Sequence, residues 1–345
     1  MIAGGFTETG ENGLSVIRFN TNSGALKMVS QFNAGPNPSW LCFSRSHSLI
    51  YALNEVMEFN ALKGGGITTV YFNLRSGKIE KKGKIVIPYG GPCHMSVSAD
   101  NRHLFIASYA SGSVAVAKID ESGIPVALTD TILYEKTGGN VSHPHMISQD
   151  PAGKHVHLAD LGLNRMMVFD FDPAKGRLIP LENGITELPE RSGPRHFIFN
   201  HDGSKLYVIN ELGSTLMVFA IGMNGQLDLM QTVPTVREGF EGRNSCAGIV
   251  AGKDMKFIYG SNRGENSIVV FSVGSDGLLS LAGHSDCGGD WPRSFTIDPS
   301  GQFLLCGNQR SDSIAVFSIN KRTGLPEGPV GKTRMKGVAC IEFFR

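Results

Sequence analysis

The chain has 345 residues and carries 32 Lys plus Arg against 31 Asp plus Glu, a formal net charge of +1. This near-neutral balance argues against a protein that binds nucleic acid electrostatically. Hydrophobic residues make up 41% and charged residues 18% of the chain, as in ordinary globular proteins. No segment approaches the ~20 consecutive apolar residues of a membrane-spanning helix, so we expect no membrane association.

The N-terminus and the cysteines favour a reducing compartment. The first residues, MIAGGFTETG, lack the basic start and long apolar core of a signal peptide, which predicts a cytoplasmic protein. The six cysteines show no CxxC pair, so we expect reduced and mostly buried thiols. They are Cys42, Cys93, Cys246, Cys287, Cys306 and Cys340.

A repeat of about fifty residues runs through the whole chain. Six copies begin at Pro38, Pro92, Pro144, Pro194, Cys246 and Pro292. The seventh is divided between Val338–Phe344 and the N-terminal segment MIAGGFTETGENGLSVIRF. Repeats of this length cannot bury their faces alone and must stack, and a copy divided between the termini indicates that the stack closes into a ring.

Each copy has the pattern of short strands joined by tight turns. In the fourth copy, HFIFN is followed by the turn HDGS, the apolar strand KLYVIN and a third strand, STLMVFAI. Alternating β-rich runs separated by DG, SG and NG turns are strand signals, and a less regular fourth strand completes the unit. The sequence therefore predicts an all-β, seven-bladed β-propeller with four-stranded antiparallel blades, forming one domain over residues 1–345. We predict no helix, and loops over Leu181–Gly193 and Gly239–Asn244.

Alignment of the copies produces two columns of residues at strand ends. The first-strand column holds Ser39, Cys93, His145, Arg195, Ala247 and Arg293. The second-strand column holds Glu55, Tyr109, Leu161, Glu211, Arg263 and Gln309. Both columns are predicted at the mouth of the central channel, where convergent polar groups are typical of a small-molecule site. His145, Arg195, Glu211 and Arg263 come from consecutive copies and are predicted to share one arc.

The chemistry of these four residues suits an anionic substrate. Two arginines offer donor forks for a carboxylate or phosphate. His145 is suited to moving a proton near neutral pH, and Glu211 to orienting it, activating water or balancing an arginine. There is no nucleophile elbow, and the pair His143 and His145 has no third metal ligand nearby in sequence, so we expect no metal and no cofactor.

Structural interpretations of the same residues stay open. Arg195 and Glu211 can form an ion pair that ties adjacent strands, and His145 can cap a strand end. Asp160 and Asn210, where strands meet turns, are predicted to bond to the backbone. Trp40 and Trp291 are predicted to be packing residues rather than stacking platforms for a ligand.

The motifs in several copies resemble one known family. The strings HPHMISQDPAGKHVHLADLG, GPRHFIFNHDGSKLYVINEL and WPRSFTIDPSGQFLLCGNQ look like the seven-bladed β-propeller lactonases, over essentially the whole chain. That family includes propeller-type 6-phosphogluconolactonases and the fungal carboxymuconate-lactonizing enzyme. The resemblance implies a metal-free site of His145 in HPHM, Arg195 in GPRH, Glu211 in INEL and Arg263 in SNRG. The string SHPHMIS departs from the PHxHS-like string of bacterial members, which leaves open whether His143 or His145 transfers the proton.

The resemblance and the columns together lead to one functional expectation. We expect a lactonase of carbohydrate metabolism, in the pentose phosphate pathway, that hydrolyses an anionic sugar lactone such as 6-phosphogluconolactone to 6-phosphogluconate. The expected catalytic residues are His145, Glu211, Arg195 and Arg263, and the expected substrate contacts are Arg195, Arg263, Arg293, His143 and Glu55. The partner is a small-molecule lactone, and the protein is expected to be a monomer or weak homo-oligomer. The alternatives are a muconate-type lactonizing cyclase and a non-catalytic interaction scaffold, against which the absent GH…WD signature counts.

Overall fold

The computed structural model describes residues 1–7, 10–44, 48–73, 77–136 and 139–344. Within these ranges the regular secondary structure is entirely β, with no helix. The chain divides into two compact units. The first unit comprises residues 1–5, 15–30 and the chain from 190 onward, and the second comprises residues 6–14 and 31–189.

The second unit contains three four-stranded antiparallel sheets and one short hairpin. The first sheet has the order β4-β5-β8-β9, from β4 (Pro38–Phe43), β5 (Leu49–Asn54), β8 (Gly65–Phe72) and β9 (Ile79–Ile87), and its connection carries the hairpin of β6 (Glu58–Phe59) and β7 (Leu62–Lys63). The second is built in chain order from β10 (Pro92–Val97), β11 (His103–Ser108), β12 (Ser113–Ile119) and β13 (Pro125–Leu133). The third follows with β14 (Pro144–Gln149), β15 (His155–Asp160), β16 (Arg165–Asp172) and β17 (Arg177–Glu187).

The first unit contains three sheets built in chain order and one sheet shared by the two ends of the chain. The first three use β18 (Pro194–Phe199), β19 (Lys205–Asn210), β20 (Thr215–Ile221) and β21 (Leu227–Pro234); β22 (Ser245–Ala251), β23 (Phe257–Arg263), β24 (Ser267–Val273) and β25 (Leu279–Asp286); and β26 (Pro292–Ile297), β27 (Phe303–Asn308), β28 (Ser313–Ile319) and β29 (Pro326–Arg334). The shared sheet has the order β3-β2-β1-β30, from β3 (Leu26–Phe32), β2 (Leu14–Phe19), β1 (Ile2–Gly5) and β30 (Val338–Glu342). Most of β2 and β3 belongs to this unit.

The described residues thus form seven four-stranded antiparallel blades, which confirms the predicted seven-bladed propeller class. The divided seventh repeat becomes a single sheet because β1 pairs antiparallel with β30, with Ile2 opposite Glu342. That pairing is the predicted closure by a blade drawn from both termini. The organisation as one domain stays a prediction.

The burial of each strand follows its place in its blade. The second strands β5, β11, β15 and β27 are buried at every position, and their sequences are correspondingly rich in Leu, Ile, Phe and Ala. The fourth strands β9 and β13 carry many exposed and half-buried positions, as expected of outer strands with one face in water. Apolar clusters between neighbouring blades, such as the one around Tyr51, Met95 and Ile106, supply the core of each unit.

A β-bulge recurs near the start of the first strand of each blade. In β18, for example, Pro194 pairs with Asn210 and His196 with Ile209, so that Arg195 is the extra, unpaired residue. The same slip falls on Ser39, Cys93, His145, Arg293 and Ala339. In β22 the slip lies between Cys246 and Ile249, which includes Ala247. The first-strand column of the repeat is therefore a column of bulges.

Two further expectations meet the structure here. The loop predicted over Leu181–Gly193 is wrong in its first half, because residues up to Glu187 belong to β17. The mostly exposed outer strand carries few apolar residues, so the sequence lacks a strand signal there. All six cysteines are free, and only Cys42 is not buried. Within the described residues, no helix is long and apolar enough to cross a membrane.

Candidate active site

Arg195 enters the candidate site from the bulge of β18. Gly193, two residues before Arg195, has a φ of 63°, a left-handed conformation that suits glycine. A bulge re-aims the side chain of its extra residue, which explains how Arg195 can leave the regular alternation of the strand. The Arg195 side chain is almost fully buried, and its Nη1 donates to the Ala247 carbonyl at 2.6 Å.

Glu211 follows directly after β19 and lies opposite this bulge. Its backbone N–H donates to the Gly193 carbonyl at 2.7 Å, which holds the turn against the start of β18. Its Oε2 lies 2.8 Å from Nε of Arg195 and 2.7 Å from Nη2 of Arg263. Both ion pairs use Oε2, so Oε1 remains available to a ligand or water in a side chain that is 20% exposed.

Arg263 ends β23 in the next blade and is fixed by three acceptors. Its Nε donates to the Ser245 carbonyl at 3.1 Å, and its Nη2 donates to the Cys246 carbonyl at 2.9 Å as well as contacting Glu211. No described residue hydrogen bonds to Nη1 of Arg263, which leaves that donor group for a ligand. The guanidinium is therefore held through Nε and Nη2, and its Nη1 can donate to a ligand.

The charge of this cluster is positive. Two buried guanidinium groups share one carboxylate, and Arg293 on β26 adds a third positive charge nearby. Burial lowers the pKa of the Arg263 guanidinium, the Glu211 carboxylate opposes that shift, and the charge of Arg293 adds to it. The group stays charged near neutral pH because an arginine pKa starts so high. The cluster is suited to an anion or to a developing oxyanion.

A buried thiol lies beside the cluster but is not suited to nucleophilic attack. Burial raises the pKa of Cys246 to about 11, and its Sγ lies 3.0 Å from Thr235 Oγ1. The reactive form of cysteine is the thiolate, and this sulfur remains a thiol near neutral pH. A covalent intermediate on Cys246 is therefore not expected.

The two candidate histidines lie in the second unit and share an aromatic neighbour. The ring of His143 stacks on Tyr109 with 4.4 Å between centroids, and its Nδ1 lies 2.8 Å from the Tyr109 carbonyl oxygen. The ring of His145 meets the same tyrosine edge-on at 5.6 Å. Asp160 accepts from the backbone N–H groups of His143 and Leu163, which confirms the predicted backbone role of Asp160.

The structure thus brings Arg195, Glu211 and Arg263 together within the first unit, with Arg293 close enough to affect the charge on Arg263. The ion pair between Arg195 and Glu211, which the sequence left open as a structural interpretation, is present. His143, His145 and Glu55 belong to the second unit, where the Glu55 backbone N–H donates to the Asn37 carbonyl at 3.0 Å. Their part in catalysis or substrate binding stays a prediction.

Sequence reasoning, which treated Trp291 as a packing residue, did not predict its contacts with two arginines. The Trp291 ring centroid lies 5.3 Å from the Arg263 guanidinium carbon and 3.4 Å from that of Arg310. The signal was available in the repeat, since the residue before the first strand is Asn37, Gly91, Gly193 or Gly337 in four other copies. A tryptophan stands out where these four copies carry glycine or asparagine, and the two remaining copies carry His143 and Asn244.

Metal ligation has no structural candidate among the described residues. Within them, no group of three or more His, Cys, Asp or Glu side chains is arranged to hold a metal ion.

Comparisons with known proteins point to one family. The family model described as lactonase, 7-bladed beta-propeller, matches residues 1–343. A 6-phosphogluconolactonase of Formosa agariphila is 30% identical over 354 aligned positions, covering 100% of this chain and 99% of the relative. A 6-phosphogluconolactonase of Serratia proteamaculans is 32% identical over 265 residues, and the match covers 75% of this chain and 77% of the relative.

Among solved structures, the periplasmic gluconolactonase PpgL of Pseudomonas aeruginosa superposes with a TM-score of 0.90. It is 28% identical, and the match covers 98% of this chain and 96% of that one.

Proposed function

The chain belongs to the lactonase family of seven-bladed β-propellers, and from that membership we propose that it hydrolyses an anionic sugar lactone. The proposed substrate is 6-phosphogluconolactone and the product 6-phosphogluconate. Two relatives that carry the name 6-phosphogluconolactonase support this choice. The observation that carries it is the shared carboxylate of Glu211, which holds two buried arginines in place with a surplus of positive charge.

The reaction places a defined demand on these residues. Water adds to the carbonyl carbon of the lactone, and the carbonyl oxygen becomes an oxyanion. The tetrahedral intermediate then expels the ring oxygen, which takes a proton, and the new carboxylic acid loses one to solvent. A positively charged donor near the oxyanion therefore lowers the barrier, and a proton carrier serves the water and the ring oxygen.

Arg263 is the proposed oxyanion donor. Its Nε and Nη2 are held by backbone carbonyls and by Glu211, while Nη1 is free to donate. A donor fixed before the reaction begins does not have to reorganise as charge develops, which is the source of most electrostatic catalysis. Arg195 is proposed to bind substrate alongside it, and its near-complete burial strengthens any interaction with an anion.

Glu211 has two proposed roles that its two oxygens separate. Oε2 keeps the arginines oriented, and Oε1 accepts a hydrogen bond from the attacking water or from a substrate hydroxyl. Proton transfer itself is proposed for His145, on the ground of the repeat columns and the family resemblance. A cytoplasmic location is proposed with it, on the ground of the six free cysteines.

The test is acid release by the purified protein in a pH-stat, with 6-phosphogluconolactone generated in situ and with glucono-1,5-lactone. Wild-type protein is expected to hydrolyse the phosphorylated lactone faster than the spontaneous rate. Arg195→Ala and Arg263→Ala should each lose at least about a hundredfold in kcat/KM. Arg322→Ala is the matched control. It removes an arginine from an exposed position in the turn after β28, so this variant should retain activity.

Two results would overturn the proposal. Acid release no faster than the spontaneous rate on either lactone would remove the lactonase assignment and favour a non-catalytic scaffold. Wild-type-like turnover by both arginine variants would remove this site while leaving the activity.

A further inference from the structure

Trp291 has an unusual backbone conformation for its residue type. Its φ is 68°, in the left-handed region. A non-glycine residue reaches that region at a steric cost, and for a bulky aromatic residue it is an outlier. Such outliers persist where the surrounding structure holds them, and they concentrate at functional sites.

The same conformation recurs at this place in other blades. The residue just before the first strand has a positive φ in four other blades, at Asn37 (42°), Gly91 (63°), Gly193 (63°) and Gly337 (56°). Three of these are glycine and one is asparagine, the residues that accept a left-handed backbone most easily. Trp291 is the one bulky residue among the five residues with a positive φ at this place, so we look for its reason in the side chain.

The backbone of Trp291 is held on both sides by hydrogen bonds. Its N–H donates to Asn266 Oδ1 at 2.9 Å, and its carbonyl accepts from the Gln309 N–H at 2.9 Å. Asn266 is fixed in turn, since its Nδ2 donates to Asp290 Oδ1 at 2.9 Å. These bonds hold the strained backbone in one conformation and therefore fix the point from which the ring projects.

The ring so fixed contacts two guanidinium groups. The Arg310 guanidinium carbon lies 3.4 Å from the ring centroid, the distance of direct stacking, and that of Arg263 lies 5.3 Å away. Both are within the range of a cation–π interaction, which is favourable for arginine against tryptophan. Arg263 is the residue whose free Nη1 is assigned to the oxyanion.

We propose that Trp291 is a positioning residue for Arg263, kept in a strained conformation because its ring sets the orientation of that guanidinium. Arg310 stacks on the ring and limits its movement. Glu211 and the two backbone carbonyls hold Nε and Nη2 of Arg263, and the Trp291 ring lies beside the guanidinium. The catalytic meaning of this contact rests on the proposed function, whereas the contact itself does not.

Fluorescence tests the contact without any turnover. The chain has two tryptophans, so Trp40→Phe leaves Trp291 as the only one. In that background Arg263→Ala is expected to shift the emission maximum of Trp291, because it removes a charge that faces the ring. Arg322→Ala should leave the emission unchanged. An identical emission spectrum with and without Arg263 would overturn the proposal.

Activity tests the positioning. Trp291→Leu is expected to lower kcat/KM for 6-phosphogluconolactone about tenfold, mostly through kcat. The interaction energy of one cation–π contact corresponds to a rate change of about this size. Trp291→Phe keeps a ring and should recover most of the activity. Trp40→Leu is the matched control. Trp40 lies in the second unit, where it donates to the Met95 carbonyl, so its loss should lower the melting temperature and leave kcat/KM unchanged.

A third variant separates the ring from the backbone. Trp291→Gly removes the ring and also the backbone strain, whereas Trp291→Leu removes the ring and keeps the strain. We expect Trp291→Gly to melt at a higher temperature than Trp291→Leu while losing as much activity. Full activity in both would overturn the positioning role. An inactive wild-type protein whose Trp291 emission still responds to Arg263→Ala would instead remove the proposed function alone.

Discussion

Nε of Arg195 and Oε2 of Glu211 lie 2.8 Å apart, joining the start of β18 to the end of the neighbouring strand β19. The same oxygen lies 2.7 Å from Nη2 of Arg263, so one carboxylate orients arginines from two successive blades. The ion pair therefore has a structural effect and a functional one at once. It ties the blades together, and it holds the two donors that are proposed to bind the substrate.

The first prediction concerns the stability that Glu211 contributes. Glu211→Gln leaves two buried guanidinium groups without their counter-charge, and breaking such a buried pair costs about 3 kcal/mol of unfolding free energy. Urea denaturation measures the loss. The control is Glu241→Gln, which changes an exposed carboxylate of the same unit. Equal unfolding free energies for the two variants would contradict the central place of Glu211.

A second prediction concerns Arg293, whose charge acts on Arg263. Arg293→Gln removes one positive charge from the cluster, so binding of an anionic substrate should weaken. We expect KM for 6-phosphogluconolactone to rise about fivefold with little change in kcat, the pattern of lost uniform binding. KM for uncharged glucono-1,5-lactone should stay constant. Equal KM changes for both lactones would show that Arg293 does not respond to the phosphate charge.

The two histidines are distinguished by a third prediction. His143 is stacked on Tyr109 and lies within hydrogen-bonding distance of its carbonyl, which suits an anchoring role. His143→Gln should therefore lower the melting temperature and change kcat little. His145→Gln is expected to lower kcat about a hundredfold and to flatten the acidic limb of the pH–rate profile. The reverse outcome would assign proton transfer to His143.

The fourth prediction is a loss of stability in acid that originates at His157 in β15. Burial lowers the pKa of His157 to about 4, whereas an unfolded histidine has a pKa near 6.5. The unfolded chain therefore takes up a proton first, and the contribution of His157 is fully present above pH 6.5. As the pH falls from 6.5 toward 4 the folded state loses about 3 kcal/mol in total.

Unfolding free energy as a function of pH measures this loss. His157→Gln removes the titrating group and should flatten the curve between pH 6.5 and 4. His201→Gln, at an exposed position, should leave the curve unchanged. A wild-type slope in the His157 variant would place the acid sensitivity elsewhere.

The repeat alone was sufficient for the architecture. Strand-forming runs such as KLYVIN, separated by turns such as HDGS, recur at the same spacing, and each run becomes a strand of the expected blade. Local alternation and turn chemistry act within a few residues, so a sequence displays them directly. The exception is the half of Leu181–Gly193 that joins β17, where an exposed outer strand carries no apolar pattern.

Much of the site was also visible in the sequence, because the residues that depart from a repeated pattern stand out against it. Arg195, Glu211 and Arg263 were predicted together and lie together. The alignment did not show that Arg195 is the extra residue of a bulge. It also did not show that both arginines meet on one oxygen, since register and side-chain direction depend on the partner strand.

The sequence by itself determined the number of blades, their strands, the blade drawn from both termini and the identity of the arginines, because these follow from periodicity and residue type. The tertiary structure decided which polar atoms are held and which are free, and it assigned Trp291 to Arg263 and Arg310. Those relationships join residues far apart in the chain, and they depend on distances of a few ångströms that no local pattern encodes.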